Sequence, residues 1–208
     1  MQHPDLPVGE VLRRAARDHP HRTALVAHSS VFGAASKSVI RWSFRELDQL
    51  ADVYARGVMA AGLEKGERAA VWATNLAEWV LLEFALARAG VVLVTVNTAF
   101  KAAEVEYLLR QSQSTALFFG SGFRDVSYPD VLASLPALPE LRQKYFFVPT
   151  APAGALPLCD LEGLAARVPP SELRRREQSL DLDDLIKDRK STRLNSSHIQ
   201  KSRMPSSA

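Results

Sequence analysis

The feature that most constrains this chain is a regular alternation of helix-type and strand-type segments joined by short connections. Residues 91–96 form a run dominated by β-branched side chains (VVLVTV), which is typical of a strand covered on both faces. Residues 47–61 instead repeat apolar side chains at helical spacing. This alternation predicts an α/β fold, with a mainly parallel sheet, right-handed crossovers and flanking helices.

The same patterns predict where the individual elements lie. Helices are expected over residues 7–19, 43–61, 78–89 and 101–111, with short ones near 131 and 161. Strands are expected over 23–27, 38–42, 68–73, 91–96, 115–119 and 144–148. Residues 149–170 are rich in Pro and Ala and read as irregular, and 171–178 are charged.

One helix start carries a specific local signal. Ser43 and Glu46 have the spacing of a capping box, in which each side chain bonds the backbone N–H of the other residue. Trp42 and Leu47 stand at the two positions of a hydrophobic staple. Gly62 is placed to end this helix.

The last twenty-one residues, 188–208, read DRKSTRLNSSHIQKSRMPSSA. Back-translated, residues 188–198 and 202–208 match one reading frame of a common short-read sequencing adapter, in the right order. Residues 199–201 fall where a sample index would sit. We therefore expect the gene to have been cut near Lys187, leaving 188–208 as a disordered, non-native tail. The alternative is a natural Ser-rich basic tail.

The tail also explains the net charge of +3. It carries five basic residues and one acidic residue, which leaves 21 basic and 22 acidic residues in the body. The basic character that would suggest nucleic-acid binding therefore lies in the tail. Cys159 is the only cysteine, and no signal peptide or uninterrupted apolar span is visible, so we expect a cytoplasmic protein.

Five short segments follow one another along the body of the chain. They are residues 42–47 (WSFREL), 62–68 (GLEKGER), 75–79 (NLAEW), 89–100 (AGVVLVTVNTAF) and 104–112 (EVEYLLRQS). Each is weak alone, but together they cover roughly residues 8–148.

This ordered set resembles the N-terminal part of the AMP-forming acyl-CoA synthetases, in the adenylate-forming superfamily. Within that family it is most similar in character to the fatty-acid–CoA ligases. The chain departs from the family pattern at Thr98, where Pro is usual, at Phe100, where Tyr is common, and at Val105, where Leu is usual. The resemblance implies that residues 1–187 are the first part of an AMP-binding domain, cut before its phosphate loop.

The resemblance also implies the chemistry of the parent enzyme. A fatty-acid carboxylate would attack ATP to give an acyl-adenylate, and coenzyme A would then displace AMP, with Mg²⁺ and a Ser/Thr/Gly-rich loop stabilising the phosphates. Residues 179–186 (SLDLDDLI) resemble the acidic lead-in to that loop. The loop itself, the adenine and ribose contacts, the interdomain hinge and the C-terminal lysine have no counterpart.

We therefore assign no catalytic, cofactor-binding or metal-binding residue, and expect the fragment to be inactive and to bind no ATP, Mg²⁺ or coenzyme A. We expect it to self-associate through uncovered sheet surface. Two other classes stay open: a stand-alone non-catalytic binding module, and a nucleic-acid-binding protein that uses the basic tail.

Several polar residues have structural interpretations. Asn75 is expected to cap a helix and Asn97 to fix a turn. Residues 120–122 (GSG) lack the full glycine pattern of a nucleotide-binding loop and a helix opening beneath them. Three acids are expected to form a solvated turn before a strand: Asp181, Asp183 and Asp184.

Two further groups complete the candidates. The aromatic and aliphatic side chains of Trp79, Phe84 and Leu86 are read as core, not as the wall of an acyl-binding pocket. The five histidines, at positions 3, 19, 21, 28 and 198, have no plausible metal partners in the sequence.

Overall fold

The computed structural model describes residues 6–29, 38–181, 184 and 187–188. The helices are α1 (Val8–Asp18), α2 (Phe44–Ala60), α3 (Ala77–Ala89), α4 (Ala102–Ser112), α5 (Tyr128–Ser134), α6 (Asp160–Leu164) and α7 (Pro170–Gln178), with a 3₁₀ turn at Ala165–Arg167. The strands are β1 (Thr23–Ser29), β2 (Ser38–Ser43), β3 (Arg68–Trp72), β4 (Val92–Thr95), β5 (Ala116–Phe119), β6 (Gly122–Phe123), β7 (Val126–Ser127), β8 (Gln143–Phe146), β9 (Leu156–Pro157) and β10 (Lys187–Asp188).

The centre of the fold is a six-stranded sheet in the order β10-β4-β3-β5-β8-β9. Every pair of neighbouring strands in it is parallel. Helices separate most of these strands along the chain, β8 and β9 excepted, so the predicted α/β fold with a mainly parallel sheet is confirmed. The β-branched run becomes β4, whose first three residues are buried.

Two hydrophobic cores cover the two faces of this sheet. Face A carries α1, α2, α3, α6 and α7, and β3 contributes Ala69 and Val71 to its core. Face B carries α4 and α5, and β3 contributes Ala70 and Trp72. Alternate residues of one strand thus enter opposite cores, as a strand buried on both sides requires.

An antiparallel pair, β1 and β2, packs beside face A. One side of this pair, with Leu25, Ala27, Ile40 and Trp42, contributes to the face A core. Val26 and Val39 point to the other side and are exposed. The pair is therefore a half-buried hairpin layer, separate from the main sheet.

The predicted start of α2 is confirmed in detail. The Glu46 carboxylate accepts from the Ser43 N–H at 2.8 Å, and Ser43 Oγ accepts from the Glu46 N–H at 3.3 Å. Trp42 and Leu47 are both buried in the face A core. At the other end, Gly62 has φ of +87°, and the Leu63 N–H donates to the Val58 carbonyl at 3.3 Å, which closes the helix.

Candidate functional site

The carboxyl end of β3 has the topology at which α/β sheets bind ligands. Such sites form where neighbouring strands send their connections to opposite faces of the sheet. The chain leaves β3 for α3 on face A, whereas the strands on either side, β4 and β5, lead to helices on face B. We call residues 73–76, 96–100 and 120–123, which follow these three strands, the β3 edge.

Two buried aromatic rings fix the shape of the β3 edge. Trp72 stacks on Tyr128 with ring centroids 3.8 Å apart. The Trp72 indole N–H donates to the Asn97 carbonyl at 3.0 Å, and the Tyr128 hydroxyl donates to the Thr98 carbonyl at 3.0 Å. Burial raises the pKa of Tyr128 to about 12. The hydroxyl therefore stays protonated as a donor, and the segment after β4 is held against a rigid support.

The structure places the two asparagines of interest at this edge, with different outcomes. Asn97 Oδ1 accepts from the Ala99 N–H at 3.0 Å, so its predicted turn role is confirmed. The predicted capping role of Asn75 is wrong. The helix starts at Ala77, so Leu76 is the N-cap, and no side chain caps the helix. Asn75 stands one residue too early and is exposed at the edge.

Gly120 and Ser121 leave β5 and enter a small hairpin of β6 and β7 before the next helix begins. That helix, α5, is capped by Ser127, whose hydroxyl accepts from the Asp130 N–H at 3.4 Å. No helix opens directly beneath the glycines of residues 120–122. This segment therefore does not have the strand–loop–helix form of a nucleotide-binding loop.

The remaining residues considered in the sequence lie in the core or in turns, or fall outside the described residues. Trp79, Phe84 and Leu86 all belong to the face A core, as predicted. The Asp184 N–H donates to the Asp181 carbonyl at 3.1 Å, which makes the predicted turn, while Asp183 lies outside the described residues. Of the five histidines, 3 and 198 are also outside them. Within the described part of the chain, no three His, Cys, Asp or Glu side chains are grouped to hold a metal ion.

A buried charge network, which sequence reasoning missed, joins four helices on face A. Arg88 of α3 is fully buried and donates to Asp52 Oδ1 at 2.7 Å and to the carboxylate and carbonyl of Asp48. Arg13 of α1 donates to Asp52 and, at 2.7 Å, to Glu177 of α7. Two open clefts of about 430 and 350 Å³ flank it. Because its charges are paired among themselves, the network serves to hold α1, α2, α3 and α7 together.

The β3 edge therefore presents polar side chains to which a ligand could bind. They are the amides of Asn75 and Asn97 and the hydroxyl of Ser121. The two clefts lie on the helical layer instead, beside the paired charges. We take the β3 edge as the candidate site because its position follows from the sheet topology.

Comparison with known proteins identifies the family. The model of the AMP-binding enzyme family matches residues 12–185. The chain belongs to the AMP-binding enzyme family. YngI of Bacillus subtilis (strain 168), which is assigned as an acyl-CoA synthetase, is 36% identical over 195 residues, covering 86% of this chain and 34% of YngI. Human medium-chain acyl-CoA ligase ACSF2, mitochondrial, is 37% identical over 129 residues, covering 62% of this chain and 20% of ACSF2.

Two solved structures share the fold of this chain. A Rhodopseudomonas palustris protein described as a long-chain-fatty-acid CoA ligase is 26% identical, with a TM-score of 0.59, over 76% of this chain and 36% of that one. The N-terminal domain of FACL13 from Mycobacterium tuberculosis is 23% identical, with a TM-score of 0.53, over 86% of this chain and 37% of that one. At that identity the second likeness shows the fold alone.

The chain spans about a third of the length of YngI and a fifth of that of ACSF2. It is therefore similar to one part of these relatives. Among the residues that the structure describes, none of the helices has the length and apolar character needed to cross a bilayer.

Proposed function

We propose that this chain is the N-terminal part of an ATP-dependent acid–CoA ligase that converts a fatty acid, through an acyl-adenylate, to an acyl-CoA thioester. The observation that carries the proposal is the family match over residues 12–185, together with relatives that are named as acyl-CoA synthetases and ligases. The substrate class, a fatty acid, comes from those names and is part of the proposal, as is a cytoplasmic location.

We further propose that the AMP-binding domain sequence in this chain is cut near residue 187. Two independent observations support it: the family match ends at residue 185, and the adapter-like sequence begins at residue 188. Residues 1–187 would then be the first part of the AMP-binding domain, and 188–208 a non-native tail.

The family implies ATP, Mg²⁺ and coenzyme A for the whole enzyme. The residues described here do not fit these groups by themselves. The β3 edge offers amides and hydroxyls, but the described residues gather no carboxylate cluster for Mg²⁺. We therefore derive no catalytic step from this chain and expect it to be inactive alone.

We also propose that the chain self-associates, through an outer strand of the sheet and not through an uncovered sheet face. Both faces of β3, β4 and β5 are covered, and among the described side chains of this sheet the large apolar one that is exposed lies on the outer strand β9. Leu156 of the outer strand β9 is 48% exposed. An uncovered strand edge of this kind favours pairing with another chain.

The test begins with the gene. The locus is amplified and resequenced across codons 180–190, and the parent and the 208-residue chain are both assayed for thioester formation from fatty acid, ATP and coenzyme A. We expect the reading frame to continue past codon 187 and only the parent to be active. An inactive parent would refute the ligase function, and an active 208-residue chain would refute fragment inactivity.

If the genome instead holds the tail and a stop codon, the stand-alone binding module becomes the better interpretation. Salt-dependent nucleic-acid binding that disappears when residues 188–208 are deleted would favour a nucleic-acid-binding protein that uses its basic tail.

A further inference from the structure

The segment that joins α7 to β10 is seated against the junction between α3 and β4. Arg176 donates from Nη1 to the Ala89 carbonyl at 3.1 Å. Leu180 fits closely over Gly90, since a Cβ at Gly90 would lie 2.8 Å from Leu180 Cδ2. The path of this segment is therefore set by the surface on which it lies.

Lys65 binds this segment at two points. Its ammonium donates to the Ser179 carbonyl at 2.6 Å and contacts Asp184 Oδ2 at 2.7 Å. The same carboxylate oxygen accepts from the Asp181 N–H at 2.7 Å. One side chain thus joins both ends of residues 179–184.

Lys65 is itself held in place relative to β4. Its turn is bonded on both sides: the Gly66 N–H donates to the Gly90 carbonyl at 2.8 Å, and the Val92 N–H donates to the Glu67 carbonyl at 2.8 Å. These bonds flank the start of β4. The Lys65 ammonium therefore fixes the positions of Ser179 and Asp184 relative to β4.

The consequence concerns the register of β10. Lys187 pairs with Leu93, and Asp188, the first residue of the proposed non-native tail, pairs with Val94, so the ladder in this chain has only two residue pairs and the tail is ordered at its first residue. Lys187 follows Asp184 by three residues, which can span at most about 10 Å. A slip of one residue would turn every side chain to the opposite face. Because so short a ladder specifies register weakly, the tether at Asp184 can decide it.

We propose that Lys65 is a positioning residue that fixes the register of β10 and sets its carboxyl end beside the β3 edge. This role rests on the proposed function in one respect: the parent ligase is taken to bind ATP at that edge. A displaced β10 would then weaken ATP binding more than it lowers the rate of reaction of the enzyme with ATP bound.

The first experiment measures backbone hydrogen exchange in the 208-residue chain by mass spectrometry. We expect Lys65→Met and Asp184→Asn each to speed exchange in peptides covering residues 179–188 at least threefold, and the double variant to add little. Lys65→Arg, which keeps the charge, should restore most of the protection. The matched control is Arg14→Met, which removes another exposed ion pair, with Asp18 at 3.7 Å. Unchanged exchange in both Lys65→Met and Asp184→Asn would overturn the proposal.

The second experiment uses the parent enzyme. We expect Lys65→Met to raise KM for ATP at least threefold with a smaller change in kcat, and Arg14→Met to leave both unchanged. An unaltered KM in an otherwise active parent would overturn the positioning role. An inactive wild-type parent would instead refute the proposed ligase function, while the exchange experiment would still decide whether Lys65 fixes β10.

Discussion

Gly57, in the last turn of α2, allows α6 to approach the helix closely. A Cβ built at Gly57 would lie 2.3 Å from the Leu161 carbonyl oxygen and 2.9 Å from Leu161 Cβ. A carbon–oxygen contact needs about 3.3 Å, so Gly57→Ala must separate the two helices by about 1 Å. The obstacle is backbone and cannot rotate away.

Two opposing effects set the size of the change. Alanine in place of glycine favours the helix by about 1 kcal/mol. Overpacking a well-packed site costs typically about 1–3 kcal/mol, and backbone displacement places this case at the upper end. We expect a net loss of about 2 kcal/mol in the free energy of unfolding, which corresponds to a fall of roughly 4–8 °C in Tm for a chain of this size.

The matched control is Gly163 of α6, two residues after Leu161. A Cβ there would meet no atom within 4 Å, so Gly163→Ala should be neutral or stabilise by up to about 1 kcal/mol. Urea denaturation followed by circular dichroism measures both variants, at two protein concentrations to detect association. If Gly57→Ala were as stable as Gly163→Ala, the close approach of α2 and α6 would be wrong.

Three other perturbations test other parts of the structure. Arg88→Met leaves the acids of the buried network short of one cation and should cost about 3 kcal/mol in urea denaturation; a loss below 1 kcal/mol would contradict the network. The lysine bound to Asp184 lowers the pKa of that carboxyl from its ordinary 3.8, so the pair stabilises the fold above that pH and the benefit disappears as pH falls through the lowered pKa. Unfolding of wild type and Asp184→Asn should thus converge in acid, and a gap that widened there would refute the sign. Burial raises the pKa of the Cys159 thiol, so alkylation at neutral pH should be slower than for free cysteine and accelerate in urea; equal rates would show an open thiol.

The elements that sequence predicted well are those that local chemistry determines. The start of α2 follows from Ser43 and Glu46, three residues apart, whose side chains satisfy backbone groups within one turn. The strand β4 follows from its own β-branched run, since only a strand buried on both faces needs such continuity. Neither depends on where distant segments lie.

The charge network and α7 escaped prediction because their partners are distant in sequence. Arg13 and Glu177 are 164 residues apart, and residues 171–178 showed only charge. They form a helix because Leu173 is buried and Glu177 finds two arginines already in place. The short strands β6, β7 and β9, of two residues each, carry too little pattern to be recognised.

The position of the candidate site was not predictable from motifs either. It depends on the strand order, which places β3 between two strands that lead to the opposite face. Asn75 and Asn97 are conspicuous in the sequence, but only the order of β4, β3 and β5 brings their segments to one edge. Local spacing could not supply that order.

The strand order also has a consequence for synthesis on the ribosome. Leu93 of β4 pairs on its outer side with Lys187, which is made 94 residues later. At about 5–20 residues per second, that edge is left without its partner for roughly 5–20 s on each nascent chain. The inner strands can assemble in that interval, but the outer side of β4 stays available to chaperones, or to a neighbouring nascent chain, until β10 has been synthesised.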